Sequence, residues 1–268
     1  MAEETEHWTK KVFFDESYLF LPTLIERVNK AEEEAEGLTQ ILRNQKVPGS
    51  GLILDLACGI GRHDPFLSQN GFYVIGVDIS PEFLRRAKLK AKHADKEKRC
   101  IYILSDMRYV GNLFRGRTFD AVISMFTSLG YYDKDTDQNI LNQINTISKP
   151  HGLLIVDMMT KDYGERLNGR RIVHPSKDGI IRIEKSCFNL KESILKASWE
   201  YYEQAVNGMH LINNISFRNI LYSPDEFEAM LNRAGWNLIE NYSDFSLSEY
   251  VVESKYMIIV ASVKNPNS

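Results

Sequence analysis

Two aspartates and two glycines stand close together in the first apolar part of the chain. Asp55 lies near the end of one apolar run, Gly59 and Gly61 follow it, and a second apolar run ends at Asp78. Glycine lets backbone amides approach a ligand closely, and an acid at the end of the next strand can accept hydrogen bonds from ribose hydroxyls. This spacing predicts a strand, turn, helix and strand that hold a nucleotide-type cofactor.

The acids near the turn narrow the kind of cofactor. A dinucleotide places its pyrophosphate on the N-terminus of the helix, and its site usually carries a third glycine where this chain has Asp64. Carboxylates at Asp55 and Asp64 are poorly placed for phosphates. A ligand with a cationic amino-acid portion suits the turn better.

The pattern Asp55-x-Ala57-x-Gly59-x-Gly61, followed by Asp78, resembles motif I and the downstream acid of class I S-adenosylmethionine-dependent methyltransferases. Ala57 stands at the family's usual first glycine. The resemblance implies S-adenosylmethionine as the cofactor, which carries a sulfonium and an ammonium but no phosphate. The implied cofactor site comprises Tyr18, Asp55, Ala57, Cys58, Gly59, Gly61, Asp78, Ile79, Asp106, Met107 and Met125.

Ser105-Asp106-Met107, after the third predicted strand, resembles the adenine site of the family. There the acid accepts from the exocyclic amine, and the next backbone amide donates to the ring. A simple turn cap is the alternative, because Ser and Asp favour turns for local reasons.

The segment from Phe126 to Tyr131 is similar to the Phe-Ser-Ser-Ile-Gly-His stretch of sugar N,N-dimethyltransferases, with Tyr131 in place of the histidine. Because tyrosine has an ordinary pKa of about 10, it is a poor base but a good hydrogen-bonding group. Methyl transfer needs mainly a positioned acceptor and exclusion of water. The candidate catalytic residues are Tyr131, then Asp157 and His174 as proton acceptors, with His210 behind them.

Alternating strand and helix signals position these residues. Strands are predicted at 52–56, 72–77, 100–104, 119–125 and 153–158, which indicates a doubly wound parallel α/β sheet. A helix at 224–234 and strands at 236–242 and 255–263 resemble the family's terminal antiparallel hairpin. The expected fold is therefore a seven-stranded, mostly parallel, Rossmann-like sheet.

Two segments lie outside this sheet. Residues 1–47 are expected to form an N-terminal helical cap, and residues 160–222 an inserted three-stranded antiparallel lid over the acceptor. A dimerisation sheet is the alternative for the insertion. The cofactor-binding domain is expected to comprise 48–159 and 223–268. The three strands of the insertion are predicted at 179–187, 193–204 and 209–222.

Composition excludes several other classes. The 268 residues contain no long apolar run and begin with acidic residues, so we expect a cytoplasmic protein without membrane contact. The three cysteines are widely spaced, which predicts reduced thiols and no metal site. A net charge of -3 gives no overall attraction to nucleic acid. The basic stretch from Arg85 to Arg99 is interpreted as a solvated helix face above a buried stripe of Phe83, Leu84, Ala87 and Leu89.

The sequence therefore predicts an enzyme that transfers a methyl group from S-adenosylmethionine to a nitrogen or oxygen of a small-molecule acceptor, with nitrogen preferred. No specific nucleic-acid partner is expected, and a homodimer is compatible with the insertion. The alternatives are an RNA or protein methyltransferase that docks through the basic helix, and a non-catalytic S-adenosylmethionine-binding protein. An NAD-dependent dehydrogenase is disfavoured by Asp55 and Asp64.

Overall fold

A seven-stranded sheet forms the centre of the molecule. The computed structural model describes residues 7–96, 98–114, 116, 118–175 and 179–264. The strand order is β10-β11-β5-β4-β1-β2-β3, with β1 to β5 parallel and β10 and β11 antiparallel to their neighbours. The predicted sheet is confirmed, and its strands are β1 (Leu52–Leu56), β2 (Tyr73–Asp78), β3 (Cys100–Leu104), β4 (Phe119–Ser124), β5 (Ser148–Met159), β10 (Trp236–Tyr242) and β11 (Tyr256–Val263).

Helices cover both faces of this sheet, which is why β1, β4 and β11 are almost entirely buried. Local signals set where two of the helices begin. The Ser80 side chain accepts from the Phe83 amide ahead of Pro81, and Ser223 forms a reciprocal capping box with Glu226. The helices of this part are α4 (Asp64–Gln69), α5 (Pro81–His93), a 3-10 turn (Met107–Tyr109), α6 (Val110–Leu113), α7 (Lys134–Ile147), α8 (Lys161–Leu167) and α9 (Pro224–Arg233).

The insertion forms a second, antiparallel sheet of four strands rather than the predicted three. The additional strand, β6 (Arg171–Pro175), pairs with the free edge of β7 (Ile180–Asn189), with Val173 opposite Ile183. Its residues are mostly exposed, and Val173 is 57% exposed. The strand therefore has no alternation of buried and exposed positions that the sequence could have revealed. The four strands are β6 (Arg171–Pro175), β7 (Ile180–Asn189), β8 (Ile194–Ala205) and β9 (Gly208–Ile220).

The N-terminal segment lies between the two sheets. The Phe20 ring stacks on Trp199 of β8 at 5.4 Å between centroids, and the Tyr201 hydroxyl donates to the Leu19 carbonyl at 2.7 Å. The insertion therefore packs against this segment. Its helices are α1 (Trp8–Lys10), a π-helix (Lys11–Asp15), α2 (Ser17–Glu26), a 3-10 helix (Arg27–Lys30) and α3 (Ala31–Asn44).

Most basic residues of helix α5 point outward, but Lys90 Nζ is buried and has no hydrogen-bond partner among the described residues. One residue of the predicted buried stripe is also wrong. Leu89 is 44% exposed, and Ala91 is buried instead. The buried positions Phe83, Ala87 and Ala91 recur every four residues along one face, whereas a residue two positions after Ala87 points away from it. Across the described residues, no helix combines the length and the apolar character needed to span a membrane.

Candidate functional site

A pocket lies at the carboxyl ends of the parallel strands, where the predicted cofactor residues meet. The glycine turn after β1, the end of β2, the turn after β3 and the loop after β4 form one side. The N-terminal segment and the start of α5 form the other. The lining residues described by the structure include none from the insertion, which contacts the N-terminal segment behind the pocket.

Asp78 closes the glycine turn from the end of β2. Its Oδ2 accepts from the Gly59 amide at 2.8 Å, and its Oδ1 accepts from the Ser80 amide at 2.8 Å. Burial raises the pKa of Asp78 to about 6. Because Gly59 (φ 56°) already donates to a carboxylate, its amide is not free for a phosphate.

Two further acids are buried beneath the turn. Asp55 lines the pocket, and burial followed by the charge of Asp64 raises its pKa well above the usual range. Burial also raises the pKa of Asp64. A Cβ at Gly61 would lie 2.8 Å from the Tyr102 hydroxyl and 2.9 Å from Asp64 Oδ2. Gly61 is therefore required for packing below the turn, and it does not line the pocket.

Arg62 and His63 also line the pocket, and neither is among the residues predicted from the sequence. The Arg62 guanidinium donates through Nη1 to Glu34 of α3, and His63 Nε2 lies 2.9 Å from the same carboxylate oxygen. Arg62 is only 5% exposed, and its Nη2 has no hydrogen-bond partner among the described residues. Two basic residues directly after a glycine turn were the available sequence signal.

The charges of this cluster are set by burial and by each other. Burial lowers the pKa of His63 to about 4, and the positive charge of Arg62 acts in the same direction. Burial opposes ionisation of Glu34, but the hydrogen bond from His63 and the charge of Arg62 lower its pKa overall. At neutral pH the cluster is thus a carboxylate between a guanidinium and a neutral imidazole.

The loop after β4 contributes Met125, Phe126, Ser128, Tyr131 and Tyr132 to the pocket. The Tyr131 backbone carbonyl accepts from the Trp8 indole at 3.2 Å, so the N-terminal segment covers this residue. Burial raises the pKa of Tyr131 above its ordinary value. Tyr131 therefore stays protonated at neutral pH and can donate a hydrogen bond.

The three candidate proton acceptors Asp157, His174 and His210 do not line the pocket, and His210 is exposed on β9. Asp157, on β5, is buried, and its Oδ2 accepts from the Phe126 amide at 3.0 Å. Burial raises its pKa to about 6. His174 lies on β6, where its side chain is 39% exposed and its Nε2 is 3.5 Å from Glu184 Oε2.

Two predicted cofactor residues lie outside the lining as well. Tyr18 is 59% exposed, and its hydroxyl accepts from the Asn213 side chain at 3.1 Å. Asp106 forms an ion pair with Arg108 at 2.7 Å and caps the short 3-10 turn, as the alternative turn-cap interpretation allowed. Its neighbours Ser105 and Met107 line the pocket. The remaining predicted residues also line it: Asp55, Ala57, Cys58, Gly59, Asp78, Ile79 and Met125.

The covering side of the pocket is mostly aromatic and aliphatic. It consists of Thr9, Phe13, Phe20 and Leu24 from the N-terminal segment and Phe83 from α5. The aromatic content near the N-terminus was visible in the sequence, but the choice of Phe20 over Tyr18 depends on which face of α2 turns inward. Within the described ranges, no cluster of His, Cys, Asp or Glu could hold a metal ion.

This chain is similar in sequence to known methyltransferases. Residues 53–152 match a family model described as a methyltransferase domain. YqeM of Bacillus subtilis, named as a candidate methyltransferase, is 26% identical over 231 residues, which cover 80% of this chain and 85% of that protein. The glycine/sarcosine N-methyltransferase of Parasynechococcus marenigrum is 29% identical over 180 residues, covering 67% of this chain and 61% of that enzyme.

A solved structure adds evidence on the fold. This structure is the amino pentose methyltransferase CalS10 of Micromonospora echinaspora bound to S-adenosylmethionine. It superimposes with a TM-score of 0.69 at 17% sequence identity, and the aligned part covers 91% of this chain and 97% of the CalS10 chain. At this identity the likeness concerns the fold alone. Residues 53–152 thus resemble a methyltransferase domain in sequence, the chain is similar over most of its length to proteins named as methyltransferases, and its fold is that of CalS10.

Proposed function

We propose that this chain transfers a methyl group from S-adenosylmethionine, held in the pocket described above, to a nitrogen or oxygen of a small-molecule acceptor, with nitrogen preferred. The observation that carries the proposal is the hydrogen bond from the Gly59 amide to Asp78. This bond engages the amide that a phosphate would need. The Asp78 carboxylate still lines the pocket, where it can accept hydrogen bonds from the hydroxyls of a ribose that carries no phosphate.

The residues around this bond fit the remaining parts of the donor. Asp78 and Ile79 would hold the ribose, and Ser105 and Met107 would border the adenine. The methionyl portion would lie along Ala57 to Gly59. Once bound, S-adenosylmethionine would supply an activated methyl group for in-line displacement by the acceptor.

The chain's own contribution to the rate would be positioning and exclusion of water. Phe126 and the covering aromatic residues provide an apolar wall, and an aromatic face is a favourable neighbour for a cation. Tyr131 would orient the acceptor through its hydroxyl, since its raised pKa keeps the proton in place. His174 lies outside the pocket, so we assign it no part in proton transfer.

The preference for nitrogen has two supports. One is the similarity of Phe126 to Tyr131 to the corresponding stretch of sugar N,N-dimethyltransferases. The other is that a matched relative carries the name glycine/sarcosine N-methyltransferase. The pairing of Arg85 and Arg86 with Glu82 supports a solvated basic helix and gives no reason to prefer an RNA acceptor.

The donor can be tested by thermal shift with S-adenosylmethionine, S-adenosylhomocysteine and NAD. A ligand that binds only the native state raises the melting temperature, so the first two should raise it and NAD should not. Transfer can then be tested with labelled donor and a panel of glycine, sarcosine, an amino sugar, total RNA and a protein extract.

We expect label in a small amine and no specific labelling of RNA. Label in one RNA or protein species would favour the macromolecular alternative. Donor binding without transfer to any member of the panel or to a metabolite extract would favour a non-catalytic binding protein. A rise in melting temperature with NAD alone would contradict the proposed methyl donor and with it the proposed function.

A further inference from the structure

The loop after β4 contains two adjacent residues in an unfavourable backbone conformation. Phe126 has φ 62° and Thr127 has φ 58°, and neither is glycine. Residues with a side chain rarely adopt this left-handed region, and they remain in it only where the surroundings hold them. Phe126 lines the pocket, so the strained backbone places a side chain directly at the proposed reaction site.

Asp157 holds both residues from the neighbouring strand. Its Oδ2 accepts from the Phe126 amide at 3.0 Å, and its backbone carbonyl accepts from the Thr127 amide at 2.9 Å. The Thr127 hydroxyl in turn accepts from the Met159 amide at 3.0 Å. One buried residue at the end of β5 thus engages the amides of two consecutive strained residues.

A second anchor comes from the insertion. The Asn219 side chain donates to the Thr127 carbonyl at 3.3 Å, and the Ile220 amide donates to the Gly130 carbonyl at 2.7 Å. A Cβ at Gly130 would lie only 2.3 Å from the Ile220 carbonyl oxygen, so the loop and the end of β9 are in close contact. The Ile220 bond fixes the far end of the loop at Gly130, whereas Asp157 and Asn219 together fix the near end at Phe126 and Thr127.

We propose that Asp157 is a positioning residue for methyl transfer: it acts through the backbone of Phe126 and Thr127, and not as the base that removes the acceptor's proton. The inference rests on the proposed function. Phe126 would form the wall beside the transferred methyl group. The Arg27 guanidinium lies over the same ring, 3.8 Å from the ring centroid. Releasing the loop would move that wall, and small displacements of a reacting pair are costly to turnover.

The charged groups near Asp157 come from three other elements. Glu34 lies on α3, Arg62 follows the glycine turn, and Arg27 follows α2. Protonation of Asp157 would leave an oxygen that still accepts from the Phe126 amide. The positioning role therefore predicts that loss of its charge changes turnover little, whereas a base must be charged to act.

The experiment compares Asp157→Asn, Asp157→Ala and, as a control for lost stability, Leu231→Ala, a buried change on α9 away from the pocket. Asparagine can keep the bond to the Phe126 amide, and alanine cannot. We expect Asp157→Asn to retain kcat within about fivefold with an unchanged pH profile. Asp157→Ala should lose about 100-fold in kcat, while its Kd for S-adenosylmethionine changes less than about threefold.

Hydrogen exchange of the peptide from Met125 to Gly130 gives a readout that needs no acceptor. Protection should persist in Asp157→Asn and Leu231→Ala and fall in Asp157→Ala, which removes the acceptor of the Phe126 amide but keeps the backbone carbonyl that accepts from the Thr127 amide. If the alanine variant does not fold, Asp157→Ser replaces it, because the serine hydroxyl is too short to reach the same amide.

An Asp157→Asn variant as inactive as Asp157→Ala would overturn the proposal in favour of a base. So would an alanine variant with normal kcat and a protected loop. If exchange behaves as expected but the wild type transfers no methyl group to any acceptor, the proposed function fails while the loop anchor stands.

Discussion

The two sides of the pocket are built in different ways. The strand-end side comes from residues close together in the sequence: Asp55, Gly59 and Asp78 lie within one strand-turn-helix-strand unit, and Asp78 bonds directly to the turn. The covering side depends on distant contacts, such as Tyr201 to Leu19 across 182 positions. From this difference we propose that the strand-end side sets donor affinity and that the covering side contributes mainly to stability.

The largest effect is expected where the two sides meet, at Glu34. Glu34→Ala leaves the Arg62 guanidinium buried without its carboxylate, and breaking a buried ion pair in this way costs about 3 kcal/mol or more. Urea unfolding measures the loss. Glu36→Ala, an exposed change on the same helix, should cost less than about 0.5 kcal/mol. Equal effects of the two variants would mean that this pair does not join the covering side to the turn.

Asp78→Ala tests the strand-end side alone. Two ribose hydroxyls would lose a charged acceptor, so we expect S-adenosylmethionine to bind about 2 to 3 kcal/mol more weakly. Calorimetry on the folded variant measures this change. Asp120→Ala is the matched control, because Asp120 lies at the amino-terminal end of β4, away from the pocket, and accepts from the Leu52 amide. Unchanged affinity in Asp78→Ala would place the ribose elsewhere.

Donor binding should also weaken as the pH falls through about 6. Burial raises the folded-state pKa of Asp78 to about 6, so protonation below that pH stabilises the unliganded fold but removes the charged acceptor. Between pH 7 and pH 5 the Kd should rise about tenfold. Asp78→Asn should bind weakly at both values and show a smaller change. The same steep change in that variant would assign the titration to another group.

The smallest effect concerns the covering side. Tyr201→Phe removes the hydroxyl that donates to the Leu19 carbonyl, which should lower the free energy of unfolding by about 1 kcal/mol. The Kd for S-adenosylmethionine should stay within about threefold. Tyr202→Phe is the matched control, since the adjacent hydroxyl bonds to Glu200 on the outer face of the second sheet. A large loss of donor affinity in Tyr201→Phe would remove the proposed division between the two sides.

Residues whose role depends on neighbours along the chain could be assigned from the sequence. The run from Leu52 to Asp78 specifies two strands and a turn by apolar runs and glycines alone, and the order of strand and helix signals specified the parallel sheet. β6 was not predicted because it is held by backbone pairing to the free edge of β7 and not by burial of one of its faces. Leu89 was misplaced because an apolar residue type does not by itself determine which side of a helix it occupies.

The sequence by itself thus determined the sheet, the turn and the acid that closes the turn, since each rests on local backbone preference or on strand periodicity. Only the tertiary structure decided that Glu34 binds Arg62, that Phe20 and not Tyr18 faces the pocket, and that Asp157 holds the strained loop. These contacts join segments that are far apart in the chain. Which side chains meet there depends on how whole elements pack, and residue type and spacing carry no information about that packing.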